Sequence, residues 1–153
     1  MAIKLLRIVL ALVVAAQALS SLFPLLATAA YKFGLIHPTS GAASLMVPIW
    51  AATRWWQIVV WSAGIGLLLA ASLCLLIQRR ALWLYLAGFT TNVGLNLWMQ
   101  REPVYHQVFG PATARFDYDR LVVLVLVGAL IWWVEAQPAK RASEPAPPSG
   151  AAG

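Results

Sequence analysis

The chain has 153 residues, 61% of them hydrophobic and 10% charged, where a soluble domain carries about 25% charged residues. A water-soluble fold of this length has too little interior for so much apolar surface, whereas lipid lets helices stay apolar all round. The net charge of +6 comes from Lys and Arg spread over ends and loops, with no basic patch interleaved with aromatics, which argues against a nucleic-acid partner and for anionic lipid headgroups.

The first apolar stretch runs from Ile8 to Ala30 behind Lys4 and Arg7. That is about 23 residues, enough to cross about 30 Å of hydrocarbon. A cleaved signal peptide is the competing reading, because Ala16-Gln17-Ala18 and Ala27-Thr28-Ala29 both resemble A-x-A cleavage sites. The run exceeds the usual apolar core of a signal, so a retained span is preferred. Pro24 is expected to kink it. The connection from Tyr31 to Thr53 turns apolar again through Leu45, Met46, Val47, Ile49 and Trp50. That piece is too short to span and suits the membrane surface.

The second span is expected at 55–77 and the third at 81–99. The turn at Gln78-Arg79-Arg80 is so tight that the two must form an antiparallel hairpin. A polar loop from Gln100 to Arg120 then leads to a fourth span at 121–137, with Trp132 and Trp133 at its exit. Asp119 is placed to cap that helix and to complement its positive dipole end. Residues 138–153, rich in Pro and Ala, read as a disordered tail. The expected architecture is therefore all-α: an integral membrane four-helix bundle over residues 1–135. Lys4, Arg7, Arg79, Arg80, Lys140 and Arg141 fall on one side, against Lys32, Arg54, Arg101, Arg115 and Arg120 on the other. With Arg79 and Arg80 in the shortest loop, the positive-inside rule places both termini in the cytoplasm and the bundle in a bacterial inner membrane.

Two polar or small-residue patterns mark the spans. Ser62, Gly66, Ala70 and Cys74 recur every four residues, a face that another helix can approach closely. Cys74 is the only cysteine, so an internal disulfide is excluded. Gly88, Asn92 and Asn96 share a face of the third span with Thr91 beside them, and the first span offers Gln17, Ser20 and Ser21 at i, i+3, i+4. Amides in hydrocarbon need partners. Interhelical hydrogen bonding satisfies that need without any ligand; the sharper alternative is a polar pocket for a quinone head or another small molecule. His37 and His106, both in loops on one side, are the candidate metal or haem ligands, although loop histidines are usually just solvated. Tyr105 and Arg101 stand near His106.

No acidic residue occupies the middle of a span: Glu135 lies at an end, and Asp117 and Asp119 precede the last helix. That lowers the case for an ion-coupled transporter. There is no G-x-S-x-G, H-E-x-x-H or phosphate-binding Gly loop, so an enzyme is not expected.

The opening Leu5-Leu6-Arg7-Ile8-Val9-Leu10-Ala11-Leu12 and the close Ala18-Leu19-Ser20-Ser21-Leu22-Phe23-Pro24 resemble the first helix of DoxX-like membrane proteins, as do the Gly-rich second span, the basic turn and the helix count. Ser21 stands where the family has a lysine, and the acidic residue early in its second helix is absent. The resemblance implies a small subunit of quinone-linked or redox-protective systems and carries no catalytic residue onto this chain. The leading expectation is a non-catalytic accessory or assembly subunit, with other membrane subunits or a second copy as partner. The alternatives are a quinone- or haem-binding redox protein and an oligomeric transporter.

Overall fold

A computed structural model describes residues 2–77, 79–110 and 116–142. Among these residues the protein is entirely helical. It comprises α1 (Ala2–Lys32), α2 (Ala42–Ala52), α3 (Trp55–Leu76), α4 (Leu82–Gln100), α5 (Pro103–Phe109) and α6 (Phe116–Ala142). Two of the helices, α1 and α3, are long and apolar enough to cross a membrane.

The four long helices pack as two tight pairs, α1 on α3 and α3 on α4, with α6 lying more lightly against α4 and α1. The residues that face inward follow helical spacing: Ala11, Val14, Ala18 and Leu25 on α1; Ile58, Ile65, Leu68 and Leu75 on α3; Tyr85, Phe89 and Val93 on α4; Val127, Ile131 and Val134 on α6. Intervals of three, four and seven keep each set on one face. Much of their outer surface is as apolar as the core. Leu12, Phe23, Leu73, Trp83, Val125 and Leu126 are all more than half exposed. Only 28% of the apolar stretch of α1 and 33% of that of α3 is buried, so neither is the enclosed core helix of a globular domain.

Helices α3 and α4 approach closely at Gly64 and Gly88. A Cβ on Gly88 would meet the Gly64 carbonyl, the Leu67 Cβ and the Leu68 nitrogen, each at 2.9 Å. A Cβ on Gly64 would press on the Asn92 amide at 2.9–3.0 Å. The small-residue stripe expected to pack is therefore not the packed face. Ser62 and Gly66 are exposed, Gly66 has nothing within 4 Å, and the Ser62 hydroxyl donates to the Ile58 carbonyl of its own helix. Ala70 and Cys74 are half-buried, and Cys74 sits at the edge of the core. Two residues of offset, from Ser62 to Gly64, turn a helix by about 200°. Gly88 on the facing helix lets the α3 backbone come close at Gly64 and Leu68, while Ile65, Leu68 and Leu75 fill the core.

Helix ends also differ from expectation. The first helix starts six residues before the apolar stretch and runs through Pro24 without a break. The last begins at Phe116, so Asp119 is its fourth residue rather than its cap, and it continues to Ala142, so 138–142 are helical rather than tail. The remaining tail, from residue 143, lies outside the described residues, as do Gln78 of the basic turn and the loop segment 111–115 that includes Arg115.

Candidate functional site

At the end of the bundle away from both termini, α1, α4 and α6 diverge and α2 and α5 pack against each other across the gap. The result is a cavity of about 410 Å³. Ser20, Ser21 and Thr28 come from α1, Asn92 and Asn96 from α4, and Arg120 from α6. Its apolar lining is mainly aromatic and thioether, with Met46 and Trp50 from α2, Trp61 from α3, Met99 from α4, and Tyr105 and Phe109 from α5. A second cavity of about 280 Å³ shares Ser20, Ser21, Asn92 and Arg120 with the first and adds Gln17, Phe89 and Asp119. A third hollow, of about 20 Å³ beside Thr53, Gln57 and Glu102, holds no more than a water.

The sequence pairing of the α1 hydroxyls with the α4 amides thus falls on one continuous seam. Gln17, Ser20, Ser21, Asn92 and Asn96 are brought together. Two members of the expected pocket are not part of it. Gly88 is the contact point with Gly64, and Thr91 lies half-buried outside both cavities.

The polar groups of the wall are largely tied to their own helices. The Ser20 and Ser21 hydroxyls donate to the Gln17 carbonyl at 2.8 and 3.3 Å, and the Thr28 hydroxyl to the Pro24 carbonyl at 2.8 Å. The Asn92 Nδ2 donates to the Gly88 carbonyl at 3.1 Å. Its Oδ1 has no donor and is pressed against Gly64. Deeper in, Gln17 Oε1 and the Tyr85 hydroxyl are both buried and lie next to each other.

His37 and His106 are exposed, on the α1–α2 connection and on α5, and neither lines a cavity. Among the described residues no three His, Cys, Asp or Glu side chains cluster as metal ligands would. Arg101 is exposed, whereas Tyr105 turns into the cavity wall.

Sequence reasoning missed three charged residues. Arg7 is only 7% exposed and donates to the Val134 carbonyl at 3.4 Å, joining α1 to the end of α6. Glu135 accepts from the backbone N–H groups of Ala81 and Leu82, so a side chain from α6 caps α4. Arg120, assigned to the loop, stands on α6 in the cavity wall. Only Glu135 carried a signal: Ala81 cannot cap a helix, and an unfilled N-terminus calls for an acceptor from elsewhere.

Comparison with family models, curated proteins and solved structures finds no match to the chain.

Proposed function

We propose that this is an integral membrane protein whose four long helices α1, α3, α4 and α6 cross the bilayer, and that it binds an amphipathic small molecule in the cavity between α1, α4 and α6. The observation that carries the reading is the convergence of Ser20, Ser21, Asn92 and Asn96 on a roomy cavity whose other walls are largely apolar and rich in aromatic side chains. Its volume of about 410 Å³ falls in the range of about 300–1,000 Å³ typical of small-molecule sites, and a mostly apolar lining with a few convergent polar groups is the usual composition of such sites. The exposed Leu, Phe and Trp side chains around the bundle support the membrane assignment, since only lipid suits so much bare apolar surface. With both termini in the cytoplasm, the cavity lies in the outer half of the bilayer.

A quinone-class ligand fits this setting better than haem, because His37 and His106 lie away from both cavities. Kinship with DoxX-like proteins belongs to the same proposal. The test is to purify the protein from its native membranes in mild detergent and quantify quinone in a solvent extract. Stoichiometric quinone, depleted by Asn92→Leu, is expected; quinone at background level in the wild type overturns the quinone assignment.

A second reading, an accessory subunit of a larger complex, is favoured by the exposed Ser62 and Gly66 face, which no described helix of this chain covers. Co-purification of a stoichiometric partner chain, lost in Gly66→Leu, is its expected result.

A further inference from the structure

We propose that the cavity selects a ligand whose head donates hydrogen bonds, so that a hydroxyl-headed quinol binds in preference to the carbonyl-headed quinone. The inference rests on the small-molecule reading above and concerns which protonation and redox form of the ligand the wall accepts. It follows from where the protons of the wall already are. The hydroxyls of Ser20, Ser21 and Thr28 each donate to a carbonyl of α1, so what they have left to offer is oxygen lone pairs. Pro24, also in the lining, has no N–H, and the Ser20 carbonyl four residues earlier is thereby deprived of its helical donor. That backbone oxygen is a further acceptor beside the cavity. The Asn92 Nδ2 gives one of its two N–H groups to the Gly88 carbonyl, and Tyr105 and Arg120 each already interact with other groups of the protein.

The donors that remain, the second Asn92 N–H, the Asn96 amide and the indole N–H groups of Trp50 and Trp61, stand on α2, α3 and α4, so the α1 side of the wall offers only acceptors. A quinone carries only acceptors and satisfies that small set alone, leaving the α1 oxygens facing its carbonyls. A quinol hydroxyl donates to an α1 oxygen and still accepts from Asn96. In an apolar enclosure the mismatch is costly, because an unpaired polar group forfeits its hydration. One well-made hydrogen bond in place of one acceptor–acceptor contact corresponds to about tenfold in affinity.

The experiment titrates the full-length protein in nanodiscs, under anaerobic conditions, with decylubiquinol and with decylubiquinone. Binding is followed by quenching of tryptophan fluorescence and compared as dissociation constants. Quinol tighter by about tenfold is expected. The Ser20→Ala/Ser21→Ala double variant is expected to lose most of that preference while still binding quinone. Pro24→Ala tests the same idea from another direction: it supplies an N–H to the Ser20 carbonyl, favours the helix and so folds at least as well, and should narrow the preference several-fold. Equal affinities in the wild type, or tighter quinone, overturn the donor preference and leave the binding site standing. Absence of binding by both forms overturns the small-molecule reading itself, and the preference with it.

Discussion

At the scale of single residues, space rather than polarity decides the α3–α4 contact. Gly88 sits where two of the three nearest atoms to an added Cβ are backbone, the Gly64 carbonyl oxygen and the Leu68 nitrogen. Backbone cannot step aside as a flexible side chain does, so Gly88→Ala must push the helices apart. The expected loss is about 1–3 kcal/mol, the usual cost of overpacking, read as a lower midpoint in detergent-based unfolding. Gly94 is the control. It lies on the same helix with nothing within 4 Å, and Gly94→Ala should be neutral or stabilising by up to about 1 kcal/mol through helix propensity. Equal effects of the two substitutions would remove the argument from close approach.

Glu135 makes a second residue-scale case. Its carboxylate accepts from both Ala81 and Leu82, and the start of α4 has no side-chain cap of its own. Glu135→Ala leaves two N–H groups at a half-buried helix end without acceptors, which should destabilise by about 1–3 kcal/mol. Glu135→Gln keeps an acceptor oxygen and should recover about half of that loss. A Gln variant as unstable as the Ala variant would mean that the negative charge, not the hydrogen bonds, matters there.

Among the elements, α3 and α4 fall within about a residue of the boundaries expected from sequence, because Trp55 with Arg54 before it and the Arg79-Arg80 turn punctuate them clearly. The longer α1 and α6 exceed their apolar stretches because a helix does not stop where hydrocarbon does: Lys4 and Arg7 continue α1 at no cost to its backbone bonds. Periodicity alone misplaced the packing face of α3. Small residues every four positions mark where a partner can approach, and only the facing helix reveals where one does. The polar seam was legible for the opposite reason, since amides and hydroxyls on two apolar helices have few places to go but toward each other. Its aromatic walls were not legible, because Trp50, Tyr105 and Phe109 lie on α2 and α5, short helices whose docking is tertiary. One bond ties α2 down: Lys32 Nζ donates to the Ala51 carbonyl at 2.7 Å, at the end of α2. Lys32→Met is therefore expected to speed amide exchange across 42–52 several-fold, leaving α3 unchanged. The exposed setting limits the energy to about 1 kcal/mol or less. Unchanged exchange in α2 would show that its apolar contacts alone hold it.

The whole molecule makes its strongest commitment in topology. On the proposed four-span reading, the start of α1, the end of α6 and the Arg79-Arg80 turn lie on one side of the membrane, and the α1–α2 connection with α5 on the other. The signal-peptide alternative breaks this arrangement, since cleavage after Ala18 or Ala29 removes most of α1. Gone with it would be Leu10, Ala11 and Val14 from the core, the Arg7 bond to α6, and the Ala11 carbonyl that accepts from the buried Ser72 hydroxyl at 2.9 Å. An intact mass that retains residues 1–30 is the first expectation. Cys74 is the sole thiol, so Cys74→Ala gives a clean background for sidedness. Ser40 and Arg80 are both exposed at opposite ends of the bundle. On that background, Ser40→Cys should react with an impermeant maleimide in intact spheroplasts, and Arg80→Cys only after the membrane is opened. Reversed labelling would invert the bundle and turn the cavity mouth toward the cytoplasm, while labelling of both from one side would end the four-span reading. The inverted result bears on function as well, because a ligand drawn from the outer leaflet and one drawn from the inner leaflet meet different reaction partners at the surface.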